Sequence, residues 1–351
     1  MTPKISVCIP SYNRSCFLQD LLDSIISQSY QDYEIVICED MSKERNVIRK
    51  IVLNYQQRNP GLIRYFENEI NLGFDANLRN LFNKALGDYC FIMGNDDLMC
   101  VDALAVVARA LEKYPNVGVI LRSYASFVDS ADNVNQIHRY FSDERFFVAG
   151  RETVVTFFYR LVVMSGIVLK RDGALKYNSE QFDGSLFYQM HLAANILLDM
   201  NGVFLPNILT LIRLGQEPEF GNSESEQGLF TPGSHAPDMD IRMLGGILKI
   251  ARQTEISRQV MIYKPILKDI GNYSFATLAF HSNLSFNDFF RYYLRLCQAG
   301  LWNNLFFHSY FFAILILGPD IIKKFVRFLR KKIGHTPTIG QIYTGRSCQN
   351  K

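Results

Sequence analysis

Short apolar strands alternate with amphipathic helices through the first 120 residues of this 351-residue chain, and that order admits few folds. Apolar runs at 5–10, 33–38, 63–66, 89–93 and 117–121 predict strands. Helices are predicted between them, over 15–28, 43–57, 74–85 and 101–114. In the first helix, Phe17, Leu18, Leu21, Leu22, Ile25 and Ile26 recur at the spacing of one helical face; in the second, Val47, Ile48, Ile51, Val52 and Tyr55 do so. Strands alternating with helices of this length build βαβ units, hence a mostly parallel, Rossmann-like α/β sheet flanked by helices.

Three polar clusters each follow a strand: Ser11-Tyr12-Asn13-Arg14, Glu39-Asp40 and Gly94-Asn95-Asp96-Asp97. In a parallel sheet all three meet at one edge, where open α/β sheets bind ligands. Adjacent carboxylates supply hard oxygen ligands for Mg²⁺. Gly, Asn and Asp are equally ordinary turn residues, so on those four residues alone both readings stand. No G-x-G-x-x-G follows the first strand and no G-x-x-x-x-G-K-[ST] occurs, which disfavours a dinucleotide-binding protein and excludes a P-loop NTPase.

Composition narrows the class. With 48% hydrophobic and 20% charged residues the chain is globular, and its length allows two domains. A net charge of +3 gives no reason to expect nucleic-acid binding. The seven cysteines form no C-x-x-C pair; Cys8, Cys38 and Cys90 fall in apolar runs and are expected as buried thiols. The amino terminus leads straight into a strand, and a cytoplasmic location is expected.

Taken in order, Ile9-Pro10-Ser11-Tyr12-Asn13-Arg14, Glu39-Asp40, Asn71-Leu72-Gly73 and the Asp96-Asp97 strand end resemble family 2 inverting glycosyltransferases of the GT-A fold, over roughly residues 4–215. The resemblance implies a nucleotide-sugar donor held by Pro10, Ser11, Tyr12, Arg14 and Asp40, with Asn71, Gly73, Asn95 and Asp96 completing the site. Asp40 would accept hydrogen bonds from the base or ribose. The family's metal motif is Asp-x-Asp, and Gly94 stands here in place of the first Asp. Asp96 and Asp97 remain as expected ligands of a divalent cation, Mg²⁺ or Mn²⁺, one carboxylate short of the family pattern.

Further along, 122–150 reads as irregular and 152–161 as a short helix. Residues 165–171 read as a strand on the acceptor side of the resembled family, with Ser165 and Gly166 as small residues beside the acceptor. Gln181-Phe182-Asp183-Gly184 precedes a helix carrying Leu186, Met190, Ala193, Ala194 and Leu197. Asp is a favoured N-cap there, and the resemblance makes Asp183 the general base; His191 is expected to be packed. Residues 203–214 supply one or two strands. The Gly-, Ser-, Glu- and Pro-rich stretch 215–237 reads as a long functional or mobile loop; in the resembled family this region closes over the donor, which implies Arg213, Ser234 or His235 at its diphosphate, with a plain surface place as the other reading of His235.

The expected division is a catalytic unit over 1–236 and a helical region over 237–351. Within the latter, about 301–334 combines an apolar run with Lys323, Lys324, Arg327, Arg330, Lys331 and Lys332 and no acid. That pattern suits a helix lying in an anionic membrane interface, and equally one packed on the catalytic unit with a basic outer face. The apolar run is too short to span a bilayer. The whole reads as an inverting, metal-assisted transferase of bacterial surface-polysaccharide or O-antigen type, peripheral to the inner membrane, with a polyprenyl-diphosphate-linked glycan acceptor. The alternatives are a nucleotidylyltransferase, which would want a Gly-rich loop after the first strand, and a non-catalytic nucleotide- or glycan-binding relative.

Overall fold

The computed structural model describes residues 3–322 and 324. Its amino-terminal part runs β1 (Ile5–Ser11), α1 (Ser15–Ile26), β2 (Tyr33–Glu39), α2 (Arg45–Arg58), β3 (Ile63–Glu67), α3 (Phe74–Lys84), β4 (Tyr89–Ile92), β5 (Leu98–Met99) and α4 (Ala103–Lys113). The middle contributes β6 (Val117–Phe127), β7 (Val134–His138), β8 (Arg145–Phe147), α5 (Arg151–Phe157), β9 (Val168–Lys170), α6 (Arg171–Lys176), α7 (Tyr188–Asp199) and β10 (Asn201–Arg213). A helical region follows: α8 (Pro237–Arg258), α9 (Tyr263–Asn272), α10 (Phe275–Phe280), α11 (Phe286–Gln298) and α12 (Leu305–Leu317).

The strands form one sheet in the order β3-β2-β1-β4-β9-β6-β10-β5, with β7 beside β6 and β8 beside β10. The expected parallel arrangement holds for β3-β2-β1-β4 and again for β6-β10; β9 runs antiparallel between β4 and β6. One face is covered by α1, α2 and α4 through Leu21, Ile25, Ile48, Val52, Leu104 and Val107. On the other lie α3 and α7, and α7 is buried from Tyr188 to Leu197, since α8 covers its outer side.

Several elements depart from expectation. The segment after 121 is not irregular: β6 continues to Phe127 and pairs with β7. Residues 203–214 are one bulged strand, because β10 slips register twice against β6 between Leu205 and Thr210. Only Val168–Lys170 of the expected 165–171 strand pairs, since Arg171 starts α6. The helix expected at Asp183 begins at Tyr188. Gly184 and Leu186 adopt positive φ, which breaks a helix, and Asp75 accepts the Leu186 and Tyr188 amides that a helical cap would have used.

The helical region shares a core with the sheet. Ile250, Phe307, Phe311 and Ile314 belong to the same buried cluster as Phe157, Phe158 and Leu197. Cys8, Cys38 and Cys90 are buried and free, as expected. Among the described residues no helix is long and apolar enough to cross a membrane; most of the basic stretch 323–332 lies outside them.

Phe311 is fully buried, its ring 3.8 Å from that of Tyr293. Phe311→Ala is expected to cost about 3–5 kcal/mol. In calorimetry it should lower the Tm of one cooperative transition; an early transition confined to the helical region would contradict a shared core.

Candidate active site

The pairing of β1 with β2 and β4 brings the three strand-end clusters together. Ser11 is in register with Glu39, the Asp40 amide donates to Ser11 O, and the Met93 amide donates to Cys8 O. Above this edge lies an open cleft with about 670 Å³ of empty space, the solvent at its mouth included. Of the residues singled out in sequence, Pro10, Tyr12, Arg14, Asp40, Asn71, Gly73, Asn95 and Asp96 line it. Gly94 does as well, while Ser11 is buried just behind the edge, its hydroxyl without a partner among the described residues.

Asp40 organises one wall. Its Oδ1 accepts from the Leu72 amide at 2.9 Å and Asn68 Nδ2 at 2.8 Å, and its Oδ2 from the Gly73 amide at 2.9 Å. Burial pushes its pKa up to about 6, against the pull of those donors. Gly73 has φ +82°, and a side chain there would run into Ser223 and Glu226. Glu39 does not face the cleft: its carboxylate binds Arg45 and the amides of Met41 and Ser42, turning the chain into α2.

The strand-four cluster divides its two carboxylates. Asp96 lines the cleft, its Oδ2 2.6 Å from Arg14 Nη1. Asp97 is turned into the protein, where Oδ1 accepts from the Arg213 amide at 2.9 Å and Oδ2 from Ser165 Oγ. Burial, then the neighbouring Asp96 charge, pushes the Asp97 pKa up to about 7. Ser165 is held in turn by Arg122, fully buried, whose Nη2 donates to the carbonyls of Val163 and Ser165. Gly94 fits this arrangement, since a Cβ there would lie 2.8 Å from Asp97 Oδ2 and 3.1 Å from Ser165 Oγ.

For a divalent cation, this donor set offers the cleft one carboxylate, Asp96. That suffices for an ion which completes its shell with phosphate oxygens and water. Asp97, expected as a second ligand, has both oxygens taken by protein donors and supports Asp96 from behind. Arg213, expected at the diphosphate, is also in this layer: Nε donates to Asp96 O at 3.0 Å, and the guanidinium lies 4.2 Å from the Phe17 ring. Gly166 has φ +92° and leaves room for Arg122, whose Nε would be 2.7 Å from a Cβ there. Neither Ser165 nor Gly166 lines the cleft.

The long loop forms the opposite wall, through residues the sequence did not single out. Glu219, Phe220 and Glu226 line the cleft, as do Phe74, Asn77 and Met164. Glu226 accepts from the Phe74 and Gly221 amides, both at 2.9 Å, so it caps α3 and folds the loop together. Asn13 Nδ2 donates to Glu219 at 3.1 Å, and Arg14 Nη2 to Glu217 O at 3.0 Å. Ser234 and His235 sit outside the cleft; His235 packs 5.9 Å from the Phe280 ring.

Asp183 occupies the turn before α7 and is gripped by Arg79 of α3, Nη1 to Oδ1 and Nη2 to Oδ2, the latter at 2.8 Å. It does not line the cleft, but its neighbour Gly184 packs on the Ser225 carbonyl of the cleft loop. His191 is packed as expected, Nε2 2.9 Å from Tyr177 O, with burial lowering its pKa.

Residues 6–167 match the profile described as Glycosyl transferase family 2. Residues 6–167 are thus similar to family 2 glycosyltransferases. Over 113 residues it is 34% identical to Abequosyltransferase RfbV of Salmonella typhimurium, covering 32% of this chain and 34% of that protein. Over 117 residues it is 31% identical to the GalNAc(5)-diNAcBac-PP-undecaprenol beta-1,3-glucosyltransferase of Campylobacter jejuni, covering 33% and 37%. The chain thus spans about a third of the length of these curated relatives. In fold it is similar to S. aureus TarS 1-349 in complex with UDP-GlcNAc, with a TM-score of 0.59 at 16% identity over 84% of this chain and 80% of that one. It is also similar to the Pyrobaculum calidifontis mannosyltransferase PcManGT in complex with GDP-Man and Mn²⁺, with a TM-score of 0.51 at 15% identity over 93% and 88%. The fold is therefore GT-A.

A pH dependence follows from Asp75, buried under the Asp183 turn, whose pKa burial raises to about 7. A carboxyl that holds its proton more tightly when folded stabilises the protein at low pH. That stability is lost as pH rises from about 4 towards 7. The Tm should therefore fall over this window by less in Asp75→Asn than in the wild type; an unchanged slope would contradict the assignment.

Proposed function

We propose that the protein is an inverting glycosyltransferase that moves a sugar from a nucleoside diphosphate to a glycan hydroxyl. The observation that carries this reading is the cleft itself, which Asp40 and Asp96, from two strand ends, both line on a GT-A sheet. Tyr12 and Phe220 offer flat apolar surfaces for a base. Asp40 holds the Asn71-Leu72-Gly73 loop at the ribose side. Arg14 supplies a cation beside the diphosphate.

Asp183 takes the proton of the acceptor hydroxyl as its oxygen attacks the anomeric carbon, and the bond from that carbon to the diphosphate oxygen breaks on the opposite face. The divalent cation would be held by Asp96, where it would neutralise charge on the departing diphosphate. The Mn²⁺ that accompanies GDP-Man in the mannosyltransferase PcManGT supports that choice of ion. Against a nucleotidylyltransferase stands the loop after β1, Tyr12-Asn13-Arg14, with Asn13 and Arg14 in left-handed backbone rather than a glycine cradle. A non-catalytic relative would have no use for a carboxylate gripped at position 183.

The names of the curated relatives support an acceptor carried on a polyprenyl diphosphate and a role in surface polysaccharide or O-antigen synthesis. A place at the cytoplasmic face of the inner membrane follows from such an acceptor. The outer side of α12 also supports it: Leu305, Phe306, Phe312 and Ile316 are exposed, with Trp302 before them and Ile321 after. The adjoining sequence 323–332 adds six cations and no acid, complementary to anionic lipid and repulsive to a second copy of itself.

Two measurements check this. With a panel of nucleotide-sugars and Mn²⁺, the protein should release nucleoside diphosphate in an acceptor-dependent way, and Asp183→Asn should lower kcat about 10²- to 10⁴-fold; full activity in that variant would remove the base. The full chain should sediment with anionic vesicles but poorly with neutral ones, and Phe312→Glu/Ile316→Glu should release it. Undiminished sedimentation of that variant would remove the docking face.

A further inference from the structure

The nucleotide wall and the base-bearing turn are held by the same helix. At its first turn α3 presents Gly73 and Phe74 to the cleft and receives Asp40 and Glu226. Asp75 and Arg79, one turn apart on one helical face, reach the other way. Asp75 accepts from the amides of Leu186 and Tyr188 at 2.8 and 2.9 Å and from Ser185 Oγ at 3.2 Å. Arg79 forms its two-pronged pair with Asp183 and donates from Nη1 to Ser179 O at 3.3 Å. Both α3 side chains are largely withdrawn from water, so these contacts are weakly screened.

We infer that Arg79 is the positioning residue of the base: it fixes the Asp183 carboxylate in one orientation for the acceptor hydroxyl. This rests on the assignment of Asp183 as base. A planar guanidinium matches a carboxylate at two points and leaves each oxygen an outward lone pair, so the pair orients the base without consuming it. Other charged and titratable groups face the turn. Glu180, 3.8 Å from Arg79, belongs to the turn itself; Asp75 lies on α3, Tyr188 at the start of α7, and Lys249 of α8 donates to Gln181 O at 3.4 Å. Among these, Arg79 is the cation in direct contact with both Asp183 oxygens. Because α3 also closes the donor cleft, donor binding and base placement share one rigid element.

The test is kcat and donor and acceptor KM for the full chain, in wild type, Arg79→Gln, Arg79→Lys and Asp183→Asn. Arg79→Gln should lower kcat about 10- to 100-fold, the worth of losing charge-assisted bonds, with donor KM little changed. Arg79→Lys keeps the charge but not the fork: its kcat should fall less, so it carries the test if Arg79→Gln does not fold. Wild-type kcat in either variant, or a donor KM that rises as far as kcat falls in Arg79→Gln, overturns the inference while leaving Asp183 as base. Near-wild-type turnover in Asp183→Asn overturns the base reading instead.

Discussion

Because β1 pairs in parallel with β2 on one side and β4 on the other, three loops leave the sheet at adjacent strand ends and must share one space. The cleft, its polarity and its charges derive from that pairing. A one-residue slip between β1 and β2 would turn Asp40 to the opposite face of the sheet and take the Asn71-Leu72-Gly73 loop with it. Deep apolar contacts hold the register: Val7, Ile9, Ile35 and Ile37 on one face, Cys8, Val36 and Cys38 on the other.

Behind the cleft a second layer fixes what the first layer presents. Arg122 holds the Ser165 carbonyl, Ser165 Oγ donates to Asp97, Asp97 accepts the Arg213 amide, and Arg213 Nε returns to the Asp96 carbonyl. Every link is buried or nearly so, where hydrogen bonds are strong and unpaired polar groups costly. The motif thus presents one carboxylate to the cleft and keeps the other for support. The absent first carboxylate has a steric reason, since Asp97 and Ser165 occupy the space a side chain at position 94 would need.

Much of this was legible in the sequence. Periodicity located the main strands and helices of the first 120 residues, and the polar clusters after β1, β2 and β4 pointed to one edge because parallel pairing leaves no other arrangement. Four things were hidden. Sequence cannot say which of two adjacent aspartates faces in; only the Ser165 and Arg213 contacts decide that. Residues 214–236 lack periodicity, so Glu219, Phe220 and Glu226 gave no signal, although a glutamate able to cap a distant helix is unremarkable in such a loop. The helix after Asp183 starts late because Asp75, over a hundred residues away, satisfies its first amides. Arg79 carried no motif and is found only through its contact.

If this cleft holds a nucleoside diphosphate between Asp40 and Asp96, calorimetric titration of UDP and GDP, with and without Mn²⁺, should show saturable binding of one of the two to the wild type, strengthened by Mn²⁺. The metal's contribution should be lost in Asp96→Ala, and binding should be about tenfold weaker in Asp40→Ala, about 1.4 kcal/mol. Binding unaffected by either substitution would rule out a nucleotide held between these two aspartates.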